Sequence, residues 1–454
     1  MPSVDEDHTH YHGVDKAEEH PSVDSALEKF LATLVPTKPE TINLAESNGR
    51  VLFSDIRSPD NLPRLARSTR DGYAINYSLH ASGEEQSKFR IVGDIRIGSK
   101  PDLNLREGEA ARVATGSTLP HGTNAVVMIE YATVEEEKDG VAVVSSSRAI
   151  KVGENILKPG EDVRRDELLF QKGSRLNPQG VAILSMFGIK SVRVYSKPRV
   201  AILSTGDELV DSSSSSLQKK QGRSKTKSES TKIFDATRPF LKAALTNLGA
   251  SVVDLRIARD DYSEIREKLR TGLKYDGLFL SAGSSVGERD YATRAAASIP
   301  GLNMLVHGVA MRPSSPTGLA SFRGKPVIFL PGFPTSAIVS FFVFGRPAIQ
   351  RLSGSSEDIR PPLIRAVLDE GESYSGKKGL THYVRVRVYS RKGIYVARIS
   401  KPSEAQYSGW LACSNGIAVI DESQEPELKP GDELNIFLIG QISSEDTQNP
   451  GSTN

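Results

Sequence analysis

The sequence predicts a multidomain chain of the α/β plus β class. A central α/β domain with a parallel sheet is preceded by a β-rich domain and followed by a small β-barrel-like domain. Three observations lead there. Between 197 and 355, strand-like apolar runs alternate with segments of helical spacing, the pattern of a parallel sheet with helical crossovers. Across 66–154 and 360–441 the runs are short, β-branched and separated by Gly and Pro. The length of 454 residues is more than one core organises and suggests about three domains.

Residues 1–20 are polar and hold His8, His10, His12 and His20. They read as a disordered tail, with weak metal binding by the imidazoles as the alternative. "SVDSALEKFLATLV" (22–35) has amphipathic helical spacing, and Ser22 or Asp24 can cap it. It opens an extended N-terminal domain of residues 21–65 plus 155–196. The β-rich domain, 66–154, carries the strand runs "FRIVGDIRIG", "AARVATG", "NAVVMIE" and "GVAVVSS". Helical spacing returns at 167–188, with "LNPQG" as a start.

The α/β domain, 197–355, opens with the strand "RVAILSTGDEL". The helix "DATRPFLKAALTNLG" follows and stops at Gly249. Then come strand "ASVVDLRIARDD", helix "YSEIREKLRTGLK", strand "YDGLFLSAGSS", helix "RDYATRAAASI", strand "KPVIFLPGFP" and the closing helix "TSAIVSFFVFGRPAIQRL". Within it, 211–232 is of low complexity, with six Lys or Arg against one Glu from Lys219 to Lys232. That composition reads as a flexible basic insertion: a solvated linker, or a contact for a phosphate or an acidic partner. The C-terminal domain, 360–441, has the strands "YVRVRVY", "IYVARI", "GIAVID" and "ELNIFLIG", and 442–454 reads as a disordered tail.

Composition removes several function classes. A net charge of +2 gives no global field for nucleic acid or membrane, and neither is expected as a partner. The one cysteine, Cys413, rules out an intramolecular disulfide and a cysteine metal cluster. No run approaches the roughly 18 apolar residues of a membrane span, and the first residues lack a secretory pattern, so a cytoplasmic location is expected.

Ligands of a parallel sheet bind outside the carboxyl ends of its strands. Four loops leave such ends: "STGDE" (204–208), "ARDD" (258–261), "SAGSSVGERD" (281–290) and "LPGFP" (330–334). Ser and Gly let backbone N–H groups approach an anion. Asp207, Glu208, Asp260, Asp261 and Asp290 offer hard oxygen donors that suit magnesium, and the absence of His and Cys speaks against zinc. Each signal has a plainer reading: Asp260 or Asp261 as a helix cap, "SAGSS" and "PGFP" as turns. The β-rich part adds Asp71 before a glycine, Thr115 and Gly116, and Glu130; "GEDV" adds Asp162.

"GRVLFSDIRSP", "DGYA", "ATGSTLPHGTNAVV", "GEDV", "STGDEL", "SVGERDY" and "LPGFP", in that order, resemble the molybdopterin molybdenumtransferase (MoeA) family, which includes the gephyrin E domain. The resemblance runs from about 24 to 441. It implies a four-domain homodimeric subunit whose α/β domain is similar to molybdopterin adenylyltransferase. It also implies an active cleft between the third domain of one subunit and the second of the other. The implied reaction inserts molybdate, or tungstate, into adenylylated molybdopterin with release of AMP and with help from Mg. Molybdopterin adenylyltransferase and molybdoenzyme apoproteins are implied partners.

Carried onto this chain, the resemblance assigns Asp290, Asp71, Glu208 and Asp261 to catalysis and Asp290, Asp162 and Glu208 to the metal. It assigns Thr115, Gly283, Ser284, Ser285, Gly287, Arg312, Pro313, Pro316, Pro331, Gly332 and Pro334 to pterin binding. The chain departs from the family on the pterin side. Arg70 replaces a Met, Ala282 a Gly, and "DATR" (235–238) keeps Asp235 but loses an Asn. "PGKP" is "PSSP" (313–316), and Phe333 replaces the Asn of "PGNP". Two functions follow: a working insertase with an altered pocket, or a degenerate paralogue that binds molybdopterin or acts as a scaffold. The retained Asp71, Asp162, Glu208 and Asp290 favour the first.

Overall fold

The computed structural model describes residues 20–78, 88–100, 102–136, 141–211, 232–282, 291–400 and 409–444. The chain forms two units. One takes in Ser54–Lys172 and Gln179–Lys190, and the other takes in the rest.

The smaller unit is built on a six-stranded sheet. Its spatial order is Ala125–Met128, Gly72–Ile75, Glu109–Val113, Lys88–Ile95, Ala142–Ser146 and Ala132–Glu136. Alternation explains why Gly72–Ile75 can be central. Tyr73 and Ile75 enter one cluster with Phe89, Val127 and Val144, while Ala74 enters another with Ile95, Leu105, Ala111 and Val126. Gly72 sits where no side chain fits, because a Cβ there would lie 1.9 Å from the Val127 carbonyl oxygen. The helix started by "LNPQG" is Pro178–Met186. The "ELLF" before it is not helical: Leu168–Phe170 pairs with Ile56–Arg57.

In the larger unit the helix Val23–Ala32 is capped by Ser22, whose side chain accepts from the Ser25 N–H. Its α/β sheet has six strands: β1 (Arg199–Thr205), β2 (Ser251–Ala258), β3 (Gly277–Ala282), β4 (Leu302–His307), β5 (Gly318–Phe322) and β6 (Lys325–Pro331), in the order β2-β1-β3-β6-β5-β4. The first four in that order are parallel, as the alternation predicts. The other two correct the expectation of a purely parallel sheet, because β5 and β4 add an antiparallel edge. Val200 and Ile202 face one apolar cluster with the helix residues Leu241, Leu245, Phe341 and Phe344. Ala201 and Leu203 face a second with Ile265, Leu269, Ala292 and Ala295. Helices thus cover both faces, and each fully buried Leu, Ile or Phe contributes about 1.5–3 kcal/mol. The closing helix is interrupted by a π-turn, Phe341–Gly345, where the next stretch begins at Arg346-Pro347.

The C-terminal strands close on themselves. Thr381–Arg391 pairs with Ile394–Ile399 on one side and Gly416–Ile420 on the other. Leu363–Leu368 and Glu433–Leu438 complete a five-strand barrel. Val384, Val386, Val388, Ile399 and Ile436 fill its interior. Ser443–Ser444, expected within a disordered tail, pairs instead with Tyr389–Ser390.

Candidate active site

The four loops read from the sequence leave one edge of one sheet. Thr205 lies opposite Ala258, Ser204 opposite Ser281, and Ala282 opposite Pro331, so β2, β1, β3 and β6 end level with each other. The chain moves from β1 outward to β2 and then to β3 on the other side of β1. The switch point therefore falls between β1 and β3, the place where such sheets open a crevice.

The loop after β1 is fixed by backbone. The Gly206 N–H donates to the Ala258 carbonyl at 3.1 Å. Gly206 also makes room for Glu208: a Cβ at Gly206 would lie 2.6 Å from Glu208 Oε1. The carboxylate thus folds back over the bare glycine. Asp207 and Asp260 exchange contacts across the two loops. Each carboxylate accepts the other residue's N–H, at 3.4 Å and 3.3 Å. Lys232 Nζ donates to the Asp207 carbonyl. Asp261 is the N-cap of the helix Tyr262–Gly272 and accepts the Glu264 N–H at 2.8 Å, the plainer of its two readings.

Arg312 is exposed and the turn after it is locked. Ser314 adopts φ +87°, a conformation that favours glycine. Its hydroxyl donates to the Ser336 carbonyl at 2.7 Å, and Thr317 Oγ1 meets Ser340 Oγ at 2.6 Å. These bonds bring the Pro313–Pro316 turn against the helix Pro334–Ser340, which follows Pro331 and Gly332. Phe333 occupies the N-cap of that helix without a capping side chain and is 52% exposed. Gly283, Ser284, Ser285, Gly287 and Asp290 lie outside the described residues, as do 212–231 of the basic insertion and 1–19 of the N-terminal tail.

In the smaller unit, one oxygen of Asp71 accepts both the Thr115 N–H and its hydroxyl. Those two bonds, the backbone one first, hold the Asp71 carboxyl below its ordinary pKa. Asp162 is exposed in its loop, where its N–H donates to the Leu62 carbonyl at 3.1 Å.

Composition gave no sign of one residue behind the edge. Arg238 is buried and paired with Asp211 at 2.7 Å, Asp254 at 2.8 Å and Asp235 at 3.0 Å. Burial opposes its charge, but the hydrogen bonds to the three carboxylates outweigh it and raise its pKa. Asp211 is the last described residue before the basic insertion, and Ile233–Phe234 after it pairs with Leu209–Val210. The two short strands that flank the insertion are thereby held side by side in parallel. Among the described residues, no cluster of three or more His, Cys, Asp or Glu is placed to hold a metal. No helix among them is long and apolar enough to cross a membrane.

A doubly wound sheet whose four parallel strands end level at one carboxyl edge, in one chain with a small closed barrel, defines a multidomain α/β protein. Residues 21–188 match the MoeA N-terminal region (domain I and II), and 201–351 match the probable molybdopterin binding domain. A molybdopterin molybdenumtransferase of Staphylococcus epidermidis is 32% identical over 352 residues, covering 77% of this chain and 80% of that protein. One from Haemophilus influenzae is 30% identical over 348 residues, covering 76% and 81%. The solved molybdopterin biosynthesis MoeA protein of Pyrococcus horikoshii aligns over 92% of this chain and 100% of its own, with TM-score 0.72 and 26% identity. The chain belongs to the molybdopterin molybdenumtransferase family.

Proposed function

We propose that this protein inserts molybdate, or tungstate, into adenylylated molybdopterin with release of AMP. The observation that carries the reading is the level ending of β2, β1, β3 and β6 at one carboxyl edge inside the matched molybdopterin-binding region, the edge from which the four loops read in the sequence depart. Backbone N–H groups there can hold an anhydride's phosphates, and negative charge developing on the leaving phosphate is what such donors stabilise.

Magnesium fits the donor set. Glu208 is an exposed carboxylate at the edge, Asp207 and Asp260 are hard oxygen donors beside it, and magnesium needs only one or two carboxylates besides substrate phosphates and water. Glu208 and Asp290 are proposed to hold it, with Asp162 a third candidate; when bound it supplies charge neutralisation at the phosphates. Asp71 and Asp261 are proposed to take part in catalysis. Thr115, the 283–287 loop, Arg312, Pro313, Pro316 and the Pro331–Pro334 segment are proposed to bind the pterin and its phosphates.

A second reading, a degenerate paralogue that binds molybdopterin or serves as a scaffold, has two observations in its favour. On the pterin side the 313–316 turn holds no lysine, and an aromatic ring stands at Phe333. One experiment separates the two: the purified full chain is given adenylylated molybdopterin, molybdate and magnesium, and AMP is quantified. AMP release that is lost in Asp290→Ala supports the transferase. Pterin binding without AMP release supports the paralogue.

A further inference from the structure

The two edges of the α/β sheet carry opposite charge. The carboxyl edge presents the exposed acids Asp207, Glu208, Asp260 and Asp261. At the amino edge β1, β3 and β6 begin level with each other. Around that edge stand Lys38, Lys197, Arg199, Lys274, Arg323 and Lys325, all exposed except the half-buried Lys325.

Backbone contacts close these six into one ring. The Ser196 N–H donates to the Lys38 carbonyl at 2.9 Å, which sets Lys38 beside Lys197. The Val35 N–H donates at 2.9 Å to the carbonyl of Gly324, the residue between Arg323 and Lys325. Lys325 Nζ lies 3.4 Å from the carbonyls of Leu273 and Lys274. The Asp276 N–H donates to the Arg199 carbonyl at 2.8 Å, which returns the ring to Lys197. Among the described residues, none of the six is paired with a carboxylate. The guanidinium groups of Arg199 and Arg323 lie over the rings of Tyr275 and Phe322. Asp276 gives one oxygen to the Arg199 N–H at 2.9 Å, and Glu40 is held by Arg50. Cations gathered this way repel one another, and an acidic segment laid among them relieves the repulsion.

The sequence supplies such a segment. Residues 1–19 hold Asp5, Glu6, Asp7, Asp15, Glu18 and Glu19 against Lys16, a formal charge of 1 − 6 = −5. The rest of the chain therefore carries +2 − (−5) = +7. We propose that the ring at the amino edge is a docking surface for an acidic polypeptide segment, and that its occupant is the N-terminal segment of the same chain. The geometry allows it. The Ala310 N–H donates to the Pro21 carbonyl, and the helix Val23–Ala32 then leads to Val35 at the ring. Its ten residues span about 15 Å at 1.5 Å per residue. An extended chain covers about 3.3 Å per residue, so the Asp5–Asp7 group has about 40–50 Å of chain with which to turn back from His20 to the ring. The acids of the carboxyl edge, on the side of the sheet where the segment is attached, repel it.

The test is carbodiimide cross-linking of the full chain, which joins a carboxylate to a lysine ammonium in contact with it, followed by peptide mass spectrometry. Asp5, Glu6 or Asp7 is expected to be joined to Lys38, Lys197 or Lys325. The yield is expected to fall at least ten-fold in 1 M salt, where charges are screened beyond about 3 Å. Cross-links spread evenly over lysines away from the ring overturn the proposal. Products of doubled mass mark a second copy as the source of the segment and overturn docking within one chain. Fluorescent hexaglutamate, followed by anisotropy, gives the second measurement. The full-length variant Asp5→Asn/Glu6→Gln/Asp7→Asn is expected to bind it about ten-fold more tightly than wild type, because a tethered competitor at about millimolar effective concentration is lost. Adding Lys38→Glu/Lys197→Glu is expected to remove that binding, and adding Lys429→Glu, on the barrel, to leave it. Equal binding by wild type and the acid-neutralised variant removes the N-terminal segment as occupant. Binding that survives Lys38→Glu/Lys197→Glu removes the ring.

Discussion

Asp71 and Thr115 are joined twice through one oxygen: Asp71 Oδ1 lies 2.6 Å from the Thr115 nitrogen and 2.9 Å from its hydroxyl. The second oxygen of the carboxylate has no part in either bond, so the pair is oriented with one acceptor to spare. Both bonds favour the charged form, and the group is exposed enough that burial does little against them.

Thr115→Val removes the hydroxyl and keeps the N–H. Asp71 should then titrate at a higher pH than in the parent chain, yet still below an ordinary aspartate, because the backbone bond is the larger of the two causes. Carboxyl carbon chemical shifts followed from pH 2 to 6 measure this directly. The sign for stability follows from the lowered pKa. The contribution is fully present above the unfolded value, about pH 4, and is lost as pH falls through the folded one. An unmoved Asp71 titration would show that the hydroxyl contact is not made in solution.

Arg238 tests whether the buried charge cluster holds the base of the crevice. Arg238→Ala leaves Asp235, itself buried, without its cation. Breaking a buried pair on one side costs about 3–5 kcal/mol, so urea unfolding should shift to clearly lower concentration. Arg256→Ala removes a cation that also touches Asp211 but is 68% exposed. It should cost no more than about 1 kcal/mol. Equal losses in the two variants would mean that burial does not set the strength of this network.

Phe333→Asn asks what the exposed ring at the sheet edge does. The helix it precedes has no capping side chain, and Asn is among the best N-caps. Stability should rise by about 1 kcal/mol, read as a higher melting temperature. If the transferase reading holds, AMP release should rise too, since an amide offers the donor and acceptor that a phenyl ring lacks. A lower melting temperature would show that Phe333 packs on something its 52% exposure does not reveal.

The carboxyl-edge loops were legible because strand, loop and helix repeat with clear periods from 197 on, and a parallel sheet leaves only one edge for such loops. Other features were not legible, for separate physical reasons. β4 and β5, "LNMLVH" and "GLASF", are short, and the pairing slips between Met304 and Val306, which breaks the alternation that marks a strand. The Arg238 cluster draws its carboxylates from 211, 235 and 254, positions that share no local pattern. Asp261 could be read as a cap or as a cleft acid, and spacing alone does not separate them; its bond to the Glu264 N–H shows the cap. The barrel-like C-terminal domain was legible from its short β-branched runs, and it closes because one long strand, Thr381–Arg391, serves two neighbours.

Gly206 and Glu208 offer a way to disturb the proposed chemistry without disturbing the fold. A methyl at Gly206 would stand 2.6–2.8 Å from the Glu208 carboxyl atoms, closer than non-bonded atoms approach. The obstacle is the free end of a flexible side chain, so Gly206→Ala should displace the carboxylate rather than the sheet. The backbone at φ +146° adds some strain, and the total loss of stability should stay near 1–2 kcal/mol. AMP release should fall much further if Glu208 acts from its observed position, and to a similar extent in Glu208→Gln. Stability curves and AMP release measured on the same three proteins decide the matter. Wild-type AMP release in Gly206→Ala with reduced release in Glu208→Gln would mean that Glu208 works from another rotamer. Wild-type release in both would remove Glu208 from the reaction.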